Sequence, residues 1–480
     1  MNSKQVVFNR TKIVATIGPA TSNYQMLKQI IQEGVDVCRL NFSHGSHDIH
    51  LPVLENIRKI NEELDTHACI LLDLQGPKLR IGEVENGSIV LEPNALVEVT
   101  TEKCIGSSSK IFVNFENLPK DVNVGERILI DDGKIELSVV ETNRKNTIKA
   151  KVVVGGTLTN KKGFNLPDTR LSIPSMTQKD LDDLKFGIEN KVEWLALSFV
   201  RSADDVIFIK NIIELNDWKP RVIAKIEKPE AWKNIDKIVA VADGIMVARG
   251  DLGVEMPMEQ VPVIQKAIVK KCIAAGKPVI IATQMMESMI TNAVPTRAEL
   301  NDIANAVMDG ADAVMLSAET SVGAYPLQAI RYMQKTINNV ENTTNAPYFK
   351  GVRPDASSST FLSDEILFTA VRISDHLNAS AVVGMTFSGY SAYKLASYRP
   401  KAPIFIFTTN PRLINTLSLI WGIRSFLYRG FESTDDSIQD VNQTLLEKGF
   451  VKHGDIVINT ASMPITERSR TNTVKISEIK

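Results

Sequence analysis

A lysine and two carboxylates fall on successive predicted strands, and their types and spacing are the ones in this chain best suited to chemistry. One strand reads Arg221-Val-Ile-Ala-Lys-Ile-Glu227 and the next Gly244-Ile-Met-Val-Ala-Arg-Gly-Asp-Leu-Gly253. Residues two apart on a strand face the same side, so Lys225 and Glu227 point together. Asp251 ends the neighbouring strand. An ammonium beside two hard oxygen ligands suits a divalent cation bound to an anionic substrate. Mg²⁺ typically takes one or two protein carboxylates and fills its other positions with water and substrate oxygens. Read singly, either segment is equally a strand with surface ion pairs. The two together point to a site.

The elements that must position them alternate strand and helix. Short apolar runs occur at 12–17, 35–41 and 68–73, then again at 194–200, 222–226, 245–248, 278–283 and 313–317. Amphipathic segments at 23–33 and 258–275 predict helices, each followed by a glycine (Gly34, Gly276) where a C-terminal cap belongs. Near-continuous apolar strands are parallel strands buried on both faces. Eight of them, each followed by a helix, make a (β/α)₈ TIM barrel; a doubly wound open sheet shares the pattern. Residues 76–171 break it with short alternating strands and turn signals, such as Glu85-Asn-Gly87 and Asp131-Asp-Gly-Lys134. They predict a small all-β domain, an inserted β-barrel lid on the catalytic face, with Pro77, Pro167 and Pro174 as hinges. The catalytic barrel is then discontinuous, 1–75 and 172–345. A polar linker at 345–363 leads into a C-terminal α/β domain, 346–480, with a helix at 364–377 and strands at 381–386 and 403–408, expected to serve effector binding or oligomerisation.

The 480 residues are enough for about three domains. With 44% hydrophobic residues, 23% charged and a net charge of −1, the chain offers no electrostatic reason to bind nucleic acid or an anionic membrane. No apolar run approaches the roughly 20 residues of a membrane span, and the first ten residues lack the apolar stretch of a signal peptide. Cys38, Cys69, Cys104 and Cys272 show no metal-ligand spacing and read as reduced thiols. A cytoplasmic enzyme is expected.

Barrel sites gather at the C-terminal ends of the strands. Those ends carry Arg39-Leu-Asn-Phe-Ser-His-Gly45, Asp73-Leu-Gln-Gly-Pro-Lys-Leu-Arg80, Lys225 with Glu227, Gly250 with Asp251, Thr283-Gln284 and Ser317-Ala-Glu-Thr320. Several cations, a few acids and hydroxyls without a cysteine nucleophile suit phosphoryl transfer, which needs positioning and charge neutralisation. Here the sequence resembles the pyruvate kinase family. The resemblance rests on Lys12-Ile-Val-Ala-Thr-Ile-Gly-Pro-Ala20, Arg39-Leu-Asn-Phe-Ser-His-Gly45, Lys225-Ile-Glu227, Met246-Val-Ala-Arg-Gly-Asp-Leu-Gly-Val-Glu255, Ala282-Thr-Gln-Met285, Pro295-Thr-Arg-Ala-Glu299 and Met315-Leu-Ser-Ala-Glu-Thr320, in order along the chain.

The resemblance implies phosphoryl transfer from phosphoenolpyruvate to ADP, giving pyruvate and ATP. It implies Arg39 on the substrate phosphate, Lys225 on the transferring group, and backbone amides of Gly250 and Asp251 on the substrate carboxylate. Thr283 would sit beside the methylene carbon, where the hydroxyl or a water delivers a proton. Glu227 and Asp251 would hold Mg²⁺, with Mn²⁺ the alternative. Asn41, Ser43, His44, Arg80 and Lys162 match the nucleotide side. A homotetramer is implied, and a phosphorylated effector at Thr386-Phe-Ser-Gly-Tyr-Ser391, although Phe387 and Tyr390 stand where some members carry cations. The stretch Ser462-Met-Pro-Ile-Thr-Glu-Arg-Ser-Arg-Thr-Asn472 lacks a family glycine-rich turn. Potassium-requiring members carry Thr-Lys after the strand-3 aspartate and a glutamate after the proline. Leu74, Gln75 and Lys78 stand here instead, so potassium independence is expected, with Asp73 not a potassium ligand. Two other readings fit the same residues: a pyruvate-handling barrel aldolase or lyase with Lys225 as a Schiff base, and a non-catalytic metabolite sensor.

Overall fold

The structure, a computed structural model, describes residues 8–349, 351–428, 433–464 and 469–480. Eight parallel strands close into a barrel in chain order: β1 (Lys12–Ile17), β2 (Val37–Asn41), β3 (Cys69–Asp73), β4 (Trp194–Leu197), β5 (Arg221–Ile226), β6 (Gly244–Ala248), β7 (Val279–Ala282) and β8 (Ala313–Leu316). Closure removes the open-sheet alternative. The strands read as unbroken apolar runs because both faces are covered. Ile13, Ala15 and Ile17 on β1 pack outward under the helices. Val14 points inward with Val37, Cys69, Leu71, Trp194 and Ala196.

Helix boundaries follow local chemistry. The helix Tyr24–Gln32 begins after Asn23, whose side chain accepts from the Met26 amide. Gly276 ends the helix Val261–Ala275 in the left-handed region at φ 65°, a conformation that favours glycine.

Between β3 and β4 the chain forms a six-stranded, largely antiparallel sheet and a two-stranded one. Their shared core includes Val97, Ile111, Ile128, Leu137 and Leu158. The sheet is open rather than the closed β-barrel expected there. Its margins meet through isolated bridges, Arg80 with Gly163 beside one edge strand and Ile81 with Val113 beside the other, and two register shifts interrupt its longest pair.

The C-terminal unit places β9 (Ala381–Met385), β10 (Ile404–Thr408), β11 (Ile423–Leu427), β12 (Ile456–Ala461) and β13 (Thr473–Glu478) in the order β11-β10-β9-β12-β13. Only β13 is antiparallel to its neighbour. Its helix runs Phe361–His376, three residues earlier than expected. Residues 465–468, within the stretch noted for lacking a glycine-rich turn, lie outside the described residues. Among the described residues no helix is long and apolar enough to cross a membrane.

Candidate active site at the barrel mouth

Strand alternation decides which side chains reach the mouth. The inward positions low in the barrel are apolar: Val37, Leu71, Ala196 and Ile223. Two residues further along, the same face turns polar, with Arg39 on β2, Asp73 on β3, Ser198 just beyond β4 and Lys225 on β5. The Lys225 ammonium lies 2.8 Å from Glu227 Oε1 and 3.3 Å from Asp73 Oδ1, and donates to Ser198 Oγ at 2.8 Å. Ser198 in turn donates to the Leu74 carbonyl at 2.7 Å. Arg39 Nε donates to Asp73 Oδ2 at 2.7 Å and its Nη1 to Thr16 Oγ1 at 2.8 Å. The second Glu227 oxygen accepts from the Phe199 amide at 2.9 Å.

These contacts set the charge states. Burial alone would lower the Lys225 pKa, but the carboxylates of Asp73, Glu227 and Asp251 outweigh it and hold the ammonium above its ordinary range. For Asp73 burial works upward, and Lys225 and Arg39 overcome it, so its carboxyl lies below the usual value. Asp251 is open to the cleft, yet the protein crowded around it, followed by the negative charge of Glu227, pushes its carboxyl up. A divalent cation in the cleft would relieve the unfavourable charge on Asp251. Among the described residues no group of three or more His, Cys, Asp or Glu gathers as an all-protein metal cage. Two carboxylates plus substrate oxygens is the pattern Mg²⁺ accepts.

The short helix α1 (Arg249–Glu255) starts two residues before Asp251. The Gly250 amide donates to Thr283 Oγ1 at 2.7 Å, so one of the two amides expected for a substrate carboxylate is engaged by Thr283 here. Thr283 and Gln284 both take left-handed backbone, φ 66° and 53°.

On the nucleotide side, Asn41 Oδ1 accepts from the Ser43 amide at 3.1 Å. The His44 imidazole is held below its ordinary pKa by partial burial, then by the nearby cations Lys78, Arg80 and Arg39. Arg80 Nη1 donates to the Lys161 carbonyl at 2.6 Å, and Lys162 pairs with Asp131 at 2.8 Å. Arg80 and the 161–163 turn are thus brought together at the base of the lid. A cleft of about 140 Å³ between lid and barrel is lined by Lys78, Asp132, Asn165, Phe199, Lys228 and Asp251. Sequence reasoning missed Ser198, Asp132 and Lys228. Ser198 was within reach of the strand-end rule, at the end of the fourth strand. Asp132 sits in what reads only as a turn.

Two family models match the chain: "Pyruvate kinase, barrel domain" over residues 8–330 and "Pyruvate kinase, alpha/beta domain" over residues 364–477. A pyruvate kinase of Geobacillus stearothermophilus is 42% identical over 472 residues, covering 98% of this chain and 80% of that relative. One of Bacillus licheniformis is 42% identical over 469 residues, covering 97% and 80%. The crystal structure of a pyruvate kinase from Cryptosporidium parvum superposes with a TM-score of 0.91 at 34% identity, over 98% of this chain and 96% of that one.

Proposed function

The chain belongs to the pyruvate kinase family, and from that premise we propose how its residues divide the work. The enzyme transfers the phosphoryl group of phosphoenolpyruvate to ADP, giving pyruvate and ATP, as the last step of glycolysis. The P–O bond to the enol oxygen breaks, a bond to the β-phosphate oxygen of ADP forms, and the enolate left behind takes a proton at its methylene carbon.

The observation that carries the assignment is the Lys225 ammonium, kept protonated among Asp73, Glu227 and Asp251. A permanently charged ammonium opposes negative charge on a transferring phosphoryl group. It is also a poor nucleophile, which disfavours the Schiff-base reading. Arg39, buried on β2, grips the substrate phosphate. The amides of Gly250 and Asp251 receive the carboxylate once Thr283 yields the first of them. Thr283 stands beside the methylene carbon, itself or through a water the route of the proton. Asn41, Ser43, His44, Arg80 and Lys162 bind the nucleotide, the last two as the lid closes. The family uses Mg²⁺; Glu227 and Asp251 would hold it, or Mn²⁺, and when bound it neutralises phosphoryl and enolate oxygens.

Lys78 lines the cleft with Asp251, and its charge is felt by His44. It takes the place of a monovalent cation, so the enzyme needs no potassium. The hydroxyls of Thr386 and Ser388, before the helix Tyr390–Ser397, and of Ser391 in its first turn receive a phosphorylated effector, the assembly is a homotetramer, and the location is cytoplasmic. The test is pyruvate release with phosphoenolpyruvate, ADP and Mg²⁺. ATP should appear in equal amount, and borohydride with pyruvate should leave no lysine adduct. Absence of pyruvate, or an adduct on Lys225, overturns the reading.

A further inference from the structure

Two adjacent non-glycine residues in left-handed backbone need an external hold, above all when the first is a β-branched threonine. Arg249 provides it. Its guanidinium donates to the Thr283 carbonyl at 2.6 Å and, through Nε, to the Ala282 carbonyl at 3.3 Å. Nη1 is anchored on both oxygens of Asp302, at 2.8 and 2.7 Å, with Gln265 Oε1 at 3.4 Å. Asp302 lies on the helix α3 (Arg297–Asp309), Gln265 on the helix α2 (Val261–Ala275) and Arg249 on α1. One planar fork therefore fastens the turn after β7 to three helices. The Arg249 side chain is nine-tenths buried. Thr283 Oγ1 donates to the Ala282 carbonyl at 2.6 Å, the same carbonyl that Arg249 reaches.

We propose that Arg249 is the positioning residue for the protonation half of the reaction: its guanidinium holds the Thr283–Gln284 turn so that the Thr283 hydroxyl stays beside the methylene carbon. The proposal rests on the place given to Thr283 above. Arg249 is not among the residues lining the cleft, and its donors are taken up by the Ala282 and Thr283 carbonyls, Asp302, Gln265 and Met285 Sδ. Lysine cannot replace it, since a single ammonium cannot span two carbonyls and a carboxylate on different sides. Loosening the turn displaces Thr283 without moving Lys225, Glu227 or Arg39. A displacement of about 1 Å can lower a rate by about 10²-fold.

The experiment compares two reactions in Arg249→Lys. The first is Mg²⁺-dependent exchange of the pyruvate methyl hydrogens with solvent. The second is phosphoryl transfer from ATP to glycolate, an acceptor with a carboxylate and an oxygen nucleophile but no carbon to protonate. Exchange should fall by about 10²-fold while glycolate phosphorylation stays near the unsubstituted rate. A purely structural role would lower both together, and that result, or no loss of either, overturns the proposal. If Arg249→Lys does not fold, Asp302→Asn, which weakens the anchor on α3, is read by the same ratio. Thr283→Ala is the control. Exchange that survives in Thr283→Ala removes the place given to Thr283 and this proposal with it. Exchange lost in Thr283→Ala but kept in both other variants removes the role of Arg249 alone.

Discussion

At the residue scale the site is a balance of opposed charges, and its predictions follow from upsetting that balance. Glu227→Gln and Asp251→Asn each replace a carboxylate with a neutral amide of the same shape. Turnover should drop by at least ~10²-fold, the scale of other electrostatic deletions in active sites, with circular dichroism unchanged; near-normal Mg²⁺-dependent rates in both would remove them from the site. Lys225→Met should abolish phosphoryl transfer yet keep methyl-hydrogen exchange of pyruvate, the reverse of the Arg249 pattern. Lys78 bears on potassium. Two unit charges about 4 Å apart interact by roughly 4 kcal/mol at an effective dielectric near 20, enough for a fixed ammonium to stand in for an ion. Full activity is expected in tetramethylammonium buffer, and Lys78→Glu with Leu74→Thr and Gln75→Lys should create potassium dependence. Strong potassium activation of the unaltered enzyme would sink the idea. Much of this site was legible because strand alternation alone aims Lys225 and Glu227 together. What could not be read was pairing across strands: the ties of Arg39 to Asp73 and of Lys225 to Ser198 join residues 34 and 27 positions apart, and no local pattern encodes them.

At the element scale, the barrel was legible because burial on both faces leaves an unbroken apolar signature, whereas the ends of elements were not. The helix carrying Asp251 begins earlier than its sequence suggests, and whether the lid strands close on themselves rests on pairing between their margins, which no local pattern encodes. One contact between lid and barrel has a consequence for motion. Asn165 Nδ2, on the last lid strand (Phe164–Asn165), donates to Glu255 Oε1 at 2.6 Å, and the same oxygen pairs with the buried ammonium of Lys228. Lys228 lies 5.8 Å from the Phe199 ring centroid. That amide therefore ties the lid to a buried ion pair beside the cleft. Asn165→Leu keeps the volume and removes the donor. Because the Lys228–Glu255 pair survives, the barrel should keep its stability, while hydrogen exchange in the lid strands rises and KM for ADP increases more than KM for phosphoenolpyruvate. Unaltered exchange in the lid would show that Asn165 does not restrain it.

At the scale of the whole molecule, the question is what joins the barrel floor to the C-terminal unit, since the inner barrel residues and Leu367, Val382 and Ile404 belong to one apolar cluster. The polar centre of that junction is Arg399, φ 53°, which follows the helix Tyr390–Ser397. Its guanidinium donates to the Gly310 carbonyl and to Asp312 Oδ2, each at 2.8 Å, and lies 4.9 Å from the Trp421 ring centroid. Asp312 also accepts from the Val279 amide at 3.0 Å, so it ties β7 and β8 to the second unit. Both partners are almost wholly buried, with side chains 2% and 3% exposed. A buried pair of this kind adds little net stability against an apolar replacement, because desolvation offsets the attraction. Removing one partner is different, since it strands the other charge in a low-dielectric interior, at about 3–5 kcal/mol. Arg399→Met should therefore destabilise the protein by about that amount in urea unfolding. Asp312→Asn in the same background should recover a large part of the loss, because the uncompensated carboxylate is then gone while the amide still accepts from Val279. Strictly additive losses, or an unmoved midpoint in Arg399→Met, would mean that the apolar cluster alone holds the two units together.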